Sequence, residues 1–281
     1  MKQIRKWKGL LFVLPSLSGV LVFYILPFLK SFVYCFTADL SDRRFVGLTH
    51  FKTLFNNANY RLAMGNTLFI IGIALPSLCF LSLLIALLIE KQLAKRKWLQ
   101  GLLLIPMALP AASLMLVWQD LFSKEGILNA VLGTHLDWLQ SDKAPWIIIG
   151  LIIWKNLGYN VLLIIGTLLT MPKEYEEAAQ LDGAGFFKIA SFIKIPYLVP
   201  MLFFTIIISL SNCFKIFREV YLLQGDYPNR NLYLLQHFMN NHFAKLNYDL
   251  LTTAAFTLYT VIFIIIFLGA RWQQRYIREN G

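Results

Sequence analysis

Long apolar stretches, separated by short polar segments, dominate this sequence. There are six of them: Gly9–Phe36, Gly65–Ile89, Trp98–Phe122, Trp146–Thr170, Leu198–Leu223 and Leu250–Trp272. A helix needs about 20 mostly apolar residues to cross a bilayer, and lipid offers no partner for an unpaired backbone group. The pattern therefore predicts an all-α integral membrane protein with six transmembrane helices.

The composition supports this prediction. Hydrophobic residues make up 58% of the chain and charged residues 15%, whereas soluble domains have roughly 45–50% and 25%. Basic residues before the first stretch would also suit a signal peptide, but that stretch is too long and no small-residue cleavage site follows it. We expect it to be retained as a span. The three cysteines lie inside predicted spans, where packing explains them better than a disulfide or a metal site.

Lysine and arginine are concentrated in alternate polar segments, and such residues near span ends favour the cytoplasmic side. This predicts a multi-pass protein of the cell membrane with both termini in the cytoplasm. We expect a cytoplasmic tail at 1–8, a single six-span domain at 9–272 and a cytoplasmic tail at 273–281. Topology and anionic lipid explain much of the +11 net charge, so no nucleic acid is implied.

The longest predicted cytoplasmic loop, residues 172–197, contains EEAAQLDGAGFFKIASFIKIP. Pro172 suits the first helical position, and three glutamates follow where the helix dipole favours negative charge. Gly183 is placed to end this helix in the left-handed conformation. A second helix is predicted from Ala184 to Lys194, with Pro196 ending it. Its apolar face consists of Phe186, Ile189, Ala190 and Ile193.

That apolar face has two interpretations from the pattern alone. It could bind a partner, or it could rest on the lipid interface or on the protein's own spans.

The residues of this loop resemble a known motif. Glu177-Ala178-Ala179, then Asp182-Gly183-Ala184, then Ile193, Pro196, Leu198 and Pro200 match EAAxxDGAxxxxxFxxIxxPxLxP. This is the motif of permease subunits of binding-protein-dependent ABC importers, in its carbohydrate-importing branch of the maltose and glycerol-3-phosphate type. One position departs, since Ala190 stands where the motif has phenylalanine and Phe192 comes two residues later.

The resemblance extends over nearly the whole chain. It includes LFVLPSLSGVLVFYILP from Leu11, FVGLTHFKTLF from Phe45, Asn66-Thr67, the third stretch from Leu104, and IIWKNLGYNVLLIIGTLLTMP from Ile152. After the fifth stretch the family often has a threonine and two glycines before a proline. This chain has LLQGDYPN from Leu222 instead, so its outer docking or gating surface is expected to differ.

The resemblance implies a type I importer fold in which the loop is the coupling element, seated on a cytoplasmic ATPase. It implies that Glu177 pairs with a basic group there and that Ala184–Ile193 is the inserted helix. The coupling residues it implies are Glu177, Ala178, Ala179, Asp182, Gly183, Ala184, Phe186, Phe187, Ile193 and Pro196. It also implies a second similar permease, two ATP-binding subunits, an extracytoplasmic solute-binding protein and a sugar substrate.

Polar residues inside the fourth and fifth stretches are candidates for the translocation path, because hydrocarbon disfavours them without a function. They are Lys155, Asn156, Tyr159, Asn160, Asn212, Lys215, Arg218 and Glu219. Lys215 and Glu219 have the i,i+4 spacing that allows pairing. The alternatives are a structural network and snorkelling to the outer headgroups.

Other classes of protein explain less of the sequence. The chain has no GxxxxGK[ST] phosphate loop, so we expect it to bind no cofactor and ATP with Mg²⁺ to be held by a partner. It has neither the GxSxG nor the HExxH motif of an enzyme; we expect His237 and His242 to be loop residues rather than a metal site. An ion-coupled secondary transporter or channel would explain six spans, but not the motif loop.

Overall fold

A computed structural model of the chain describes residues 12–38 and 44–280. The tail predicted at residues 1–8 lies outside them. The described residues are mainly helical, and their only β-type pairing is an isolated antiparallel bridge between Thr37 and Phe45.

The helices are numbered along the chain. They are α1 Phe12–Tyr34, α2 Thr49–Asn56, α3 Ala58–Lys95, α4 Lys97–Ala108, α5 Ala111–Phe122, α6 Ile127–Leu132, α7 Ala144–Leu168, α8 Lys173–Leu181, α9 Phe186–Ile189, α10 Ile195–Lys215, α11 Phe217–Gln224, α12 Leu235–Ala244 and α13 Tyr248–Asn280. A π turn, Ala190–Lys194, joins α9 to α10, and a 3₁₀ turn covers Arg230–Leu232.

In the described part of the chain, five helical segments are long and apolar enough to cross a membrane. They are Phe12–Tyr34, Ala58–Leu93, Ala144–Leu168, Phe186–Gln224 and Tyr248–Glu279. A bent pair, Lys97–Ala108 with Ala111–Leu132, brings the number to six. The prediction of six apolar spans in an all-α membrane protein is therefore confirmed, and several of the helices extend well past the predicted ends.

The third predicted span, Trp98–Phe122, is not one straight helix. Its two halves, α4 and α5, are bent by 84° relative to each other. Leu109, between them, has an extended backbone with ψ 134° and precedes Pro110. The ring of a proline disfavours helical backbone in the residue before it, which explains the break at this point.

Two other prolines, Pro27 and Pro196, follow π turns. The turn Leu21–Ile25 inside α1 ends two residues before Pro27, and the turn Ala190–Lys194 ends two residues before Pro196. A proline removes one backbone donor and crowds the preceding turn, and a wider turn relieves that crowding. Both helices continue through their prolines in this way.

The contacts divide the chain into two compact units, and the first comprises residues up to Arg61 together with Phe238–Phe263. Within it, aromatic rings of α1 and α13 pack edge to face, as between Phe28 and Tyr259 at 5.7 Å. Tyr60 and Phe238 are fully buried and lie 5.5 Å apart, measured between ring centroids. Aromatic packing therefore organises this unit.

The second unit comprises Leu62–His237 and Ile264–Gly281 and contains the candidate sites. One of its apolar clusters joins α3, α7, the π turn and α10. Its buried members are Ala86, Leu87, Leu93, Val161, Ile164, Ile165, Leu168, Ala190 and Leu198. Helices α4 and α7 approach closely at Gly158, where an added Cβ would lie 1.9 Å from the carbonyl oxygen of Leu103. Only glycine allows this approach.

The Asn66-Thr67 pair connects α3 to the segment that follows α11. Asn66 donates to the carbonyls of Arg230 and Tyr233 at 2.7 and 3.0 Å. The Thr67 hydroxyl accepts from the backbone N–H of Leu235 at 2.9 Å. This pair thus satisfies backbone groups in a loop, as buried polar side chains commonly do.

The divergent segment LLQGDYPN is also held by side chains. Gln224 donates to the carbonyl of Leu139 at 2.7 Å, and Asn229 donates to that of Gln140 at 2.5 Å. Gly225 has a positive φ of 74°. The segment is therefore tied to the loop before α7.

Candidate functional site

The first helix of the motif loop, α8, ends as its sequence predicts. Gly183 has φ +77°, in the left-handed region. The N–H of Ala184 donates to the carbonyl of Ala179 at 2.9 Å, and the N–H of Gly183 donates to that of Gln180 at 3.0 Å. These two bonds form a Schellman motif, which satisfies the last carbonyls of the helix.

The second loop helix differs from its prediction in both bounds. It begins at Phe186, not Ala184, and Pro196 does not end it. Instead, α9 continues through the π turn into α10, where Pro196 occupies the first turn. The loop is thus mechanically continuous with the fifth span.

The apolar residues of the loop have two different environments. Ile189 and Ala190 are buried, and Ala190 belongs to the apolar cluster with α3 and α7. Phe187 is 83% exposed and Leu181 is 90% exposed. The predicted apolar face is therefore partly packed on the protein's own spans, and a different set of side chains remains free for a partner.

The other predicted coupling residues lie mostly on the exposed side of the loop. Glu177, Ala178, Asp182, Gly183 and Phe186 are exposed, while Ala179, Ala184, Ile193 and Pro196 are half-buried. None of them is deeply buried. Six of the ten predicted residues, Phe187 among them, are therefore exposed.

Glu176, next to Glu177, has a different environment. Its carboxylate accepts from Lys91 of α3 at 3.1 Å and lies 3.4 Å from the Lys194 ammonium. Partial burial raises its pKa, but the hydrogen bond from Lys91 and the charge of Lys194 outweigh this and hold the pKa of Glu176 below its ordinary value. Glu176 is therefore ionised and faces inward.

Lys194 also pairs with Glu90 of α3, and its side chain is only 4% exposed. We call Glu90, Lys91, Glu176 and Lys194 the inner ionic cluster. It alternates in sign and has no net charge, so each buried charge has an opposite neighbour. Sequence reasoning missed this cluster, although a lysine between two isoleucines, Ile193 and Ile195, was a signal for it.

The inner ionic cluster forms part of the wall of a cleft of ≈ 430 Å³. The cleft is lined by Glu90, Lys91, Lys95, Leu168, Leu169, Met171, Lys173, Glu176, Glu177, Gln180 and Lys194. Its lining therefore combines the C-terminal end of α3, the end of α7 and the motif loop.

The predicted path residues are brought together where α7 meets α10 and α11. Lys155 donates to Oε1 of Glu219, whose side chain is 2% exposed. Arg218 approaches the same oxygen at 3.5 Å but is largely exposed. The pairing of Lys155 with Glu219 was not predicted.

The suggested pairing of Lys215 with Glu219 does not form. Lys215 donates to Oδ1 of Asn212 at 3.4 Å instead. Helix α10 ends at Lys215 and α11 begins at Phe217. Because the helix is interrupted between the two residues, the i,i+4 geometry that pairing requires is lost.

Asparagines continue the polar contacts along α7. Asn212 donates to Asn156 at 2.9 Å, and Asn160 donates to the hydroxyl of Ser209 at 2.7 Å. Asn160 is fully buried, whereas Tyr159 is half-buried. These contacts and the Lys155–Glu219 pair form what we call the mid-span polar cluster, which comprises Lys155, Asn156, Asn160, Ser209, Asn212, Lys215, Arg218 and Glu219.

Two acceptors of the mid-span polar cluster have no hydrogen-bond partner among the described residues. They are Oδ1 of Asn160 and Oε2 of Glu219, and both are buried. An unpaired buried acceptor is costly, so such atoms are candidates for contact with a donor from outside the chain.

His237 and His242 are on α12, so the expectation that they are loop residues is wrong. His237 is fully buried, and its ring centroid lies 4.7 Å from that of Phe217. Its Nδ1 accepts from the backbone N–H of Leu234 at 3.2 Å. Burial lowers the pKa of His237 to about 4, so the ring is neutral. No group of three metal-ligating residues occurs in the described part of the chain.

Comparison with known families gives one match over most of the chain. Residues 80–279 match the family described as binding-protein-dependent transport system inner membrane component. The matched region includes the motif loop and the mid-span polar cluster.

Individual relatives agree with this match. A probable ABC transporter permease protein of Bacillus subtilis, YurN, is 28% identical over 286 aligned positions, which cover 96% of each chain. The trehalose/maltose transport system permease protein MalF of Thermococcus litoralis is 27% identical and covers 78% of each.

Among solved structures, a bacterial alginate ABC transporter in complex with an alginate pentasaccharide-bound periplasmic protein contains a chain of the same fold. The TM-score is 0.83 at 21% identity, over 96% of this chain and 95% of that one.

Proposed function

Since this chain belongs to the family of binding-protein-dependent transport system inner membrane components, we propose that it forms half of the translocation path of an ATP-driven importer for a sugar or oligosaccharide. A second, similar permease would supply the other half. An extracytoplasmic solute-binding protein would deliver the substrate. Two ATP-binding subunits, holding ATP and Mg²⁺, would drive transport, since no phosphate loop occurs in this chain.

The observation that carries this proposal is the construction of the motif loop. It exposes Glu177 and Phe187 and buries Ala190 in the apolar cluster with α3 and α7. It is also continuous with α10 through the π turn. A rigid element attached in this way can convert closure of a partner into movement of packed helices.

The substrate class rests on the named relatives and on the polar chemistry of the spans. The Thermococcus relative is named for trehalose and maltose, and the alginate transporter is in complex with a periplasmic protein that holds an alginate pentasaccharide. The free acceptors of Asn160 and Glu219 suit hydroxyl donors, which sugars have in number. Trp154, 43% exposed on α7, offers a ring face for stacking.

The proposed orientation places both termini and the motif loop in the cytoplasm. Single cysteines replacing Lys143 and Lys188 test it, because both residues are exposed. An impermeant thiol reagent should label the cysteine at 143 from outside intact cells and not the one at 188. Labelling at 188 from outside would place the motif loop on the wrong side for an ATPase.

The main experiment is transport by the reconstituted complex. The purified permeases and ATP-binding subunits, in vesicles with the binding protein, should take up labelled sugar only with hydrolysable ATP. A panel of oligosaccharides that stimulate ATP hydrolysis would identify the substrate. Uptake that needs an ion gradient and ignores ATP would instead indicate the alternative, an ion-coupled secondary transporter or channel.

A further inference from the structure

Two adjacent glutamates of α8 have different environments. Glu177 is exposed and free to meet a partner, whereas Glu176 is bound by Lys91 and Lys194. They follow each other on one short, rigid helix. A displacement of that helix at Glu177 therefore displaces Glu176 as well.

The inner ionic cluster joins two elements of the motif loop to α3, which is distant in the chain. Glu176 belongs to α8, Lys194 ends the π turn, and Glu90 lies near the inner end of α3. Helix α3 is not a chain neighbour of the motif loop, unlike α7 and α10. The charges thus provide a connection that chain continuity does not.

The connection is shielded from water. Lys194 and Glu90 have side chains 4% and 11% exposed, and Leu93, Leu168 and Ala190 nearby are buried in one apolar cluster. Ion pairs on a protein surface contribute little, but removal of one member of a buried pair leaves an uncompensated charge.

We propose that Glu90, Glu176 and Lys194 are positioning residues that couple the motif loop to α3, so that movement imposed on α8 is transmitted to the second span as well as to α7 and α10. The inference rests on the proposed function, since it presumes an ATPase that moves the loop. The residues touch no substrate or nucleotide. They act by holding α3 to the loop.

The test uses the reconstituted complex and the double variant Glu90→Gln with Lys194→Met. Because both members of the pair are neutralised, neither is left as a buried charge without its partner. The chain should therefore insert and retain its ATP-binding subunits. The number of ATP molecules hydrolysed per sugar transported should rise about tenfold or more. The coupling energy of a close charge pair at an interface is at least the free energy that corresponds to a factor of ten in an equilibrium constant. Lys194→Arg should keep the wild-type ratio.

A second measurement follows the movement itself. Spin labels on exposed positions Gln92 of α3 and Ser191 of the π turn, in a background without Cys35, Cys79 and Cys213, report the distance between the two elements. In the wild type this distance should stay constant between nucleotide-free and ATP-bound states. In the double variant it should change between them.

Lys97→Met is the control, because Lys97 is exposed at the start of α4, outside the motif loop, and belongs to no ion pair within the described residues. It should leave both measurements unchanged. A double variant with a normal ATP ratio and a constant distance would overturn the proposal. So would one that loses its ATP-binding subunits, because the cluster would then serve only assembly. Failure of the wild-type complex to use ATP would instead refute the proposed function.

Discussion

Two buried lysine–glutamate pairs lie in the same unit of this protein, and they differ in what they join. Lys194 and Glu90 connect the motif loop to α3, and Glu176 and Lys91 extend the pair. Lys155 and Glu219 connect α7 to α11. The same two residue types thus link a loop to a span in one case and two spans in the other.

The pairs also differ in the atoms that they leave open. Every carboxylate of the inner ionic cluster has a cationic neighbour. In the mid-span polar cluster, Oε2 of Glu219 lacks a partner among the described residues. A closed network makes its elements rigid, whereas an open acceptor can receive a ligand's donor. The comparison indicates that residue type alone does not assign a role; the elements joined and the atoms left over do.

The largest effect is expected from a substitution that leaves one buried charge without its partner. Glu219→Ala should destabilise the chain by about 3–5 kcal/mol, because the Lys155 ammonium loses its partner. Thermal unfolding in detergent measures this loss. The double variant Lys155→Met with Glu219→Leu should recover most of the stability without recovering transport. Recovery of transport as well would show that the pair is only structural.

The next effect concerns Glu177, the exposed neighbour of Glu176. If Glu177 meets a basic group of the ATPase, Glu177→Lys should weaken that interface by about 2–5 kcal/mol or more. Membrane levels should be normal, and the ATP-binding subunits should no longer copurify. A compensating acidic residue on the ATPase should partly restore binding. Glu125→Lys, a charge reversal at an exposed residue outside the loop, is the control and should bind the ATP-binding subunits normally. Normal binding by Glu177→Lys would show that Glu177 is not a contact with the ATPase.

The direction of the loop can be altered without touching any charge. Gly183→Val forces a β-branched residue to φ +77°, at a cost of about 1–3 kcal/mol. The altered turn should misdirect α9 and lower uptake, and no charge swap on the ATPase should rescue it. Gly185→Val is the matched control, since Gly185 has an ordinary φ of −76° and its added Cβ would meet no atom within 4 Å. Equal uptake by both variants would contradict this account.

A smaller effect is expected from one hydrogen bond of the mid-span polar cluster. Asn212→Ala removes the donor to Asn156 and should cost about 0.5–1.5 kcal/mol of stability. Uptake should fall while basal ATP hydrolysis and assembly persist. Ser211→Ala, at the neighbouring exposed position, should change neither stability nor uptake. Loss of assembly in Asn212→Ala would favour the structural interpretation of the cluster.

The smallest effect is a pH dependence of stability in the inner ionic cluster. The folded pKa of Glu176 is lowered, so its contribution is complete above its unfolded pKa of about 4.3 and is lost as the pH falls through the folded value. The unfolding temperature of Glu176→Gln should therefore fall less on acidification than that of the wild type. Parallel curves would show that Glu176 contributes no such stabilisation.

Periodicity and motif together predicted much of this protein. Apolar stretches of span length can be recognised without tertiary information, because the requirement to satisfy backbone groups in lipid acts on each segment alone. The turn at Gly183 was likewise local, since glycine reaches its conformation without support from distant residues. Even the residue that breaks the third span, Pro110, was visible, although the 84° bend was not.

Only the tertiary structure decided which polar residues meet. Glu90 and Lys194 are 104 positions apart, and Lys155 and Glu219 are 64 apart, so no local spacing could pair them. The i,i+4 rule suggested Lys215 for Glu219, but a break between α10 and α11 removed the geometry on which that rule depends. The motif loop divides in the same way: the sequence predicted its first helix and the turn at Gly183, but not the bounds of its second helix. Packing of Ala190 against α3 and α7 decided which face stays free, because burial depends on neighbours that are distant along the chain.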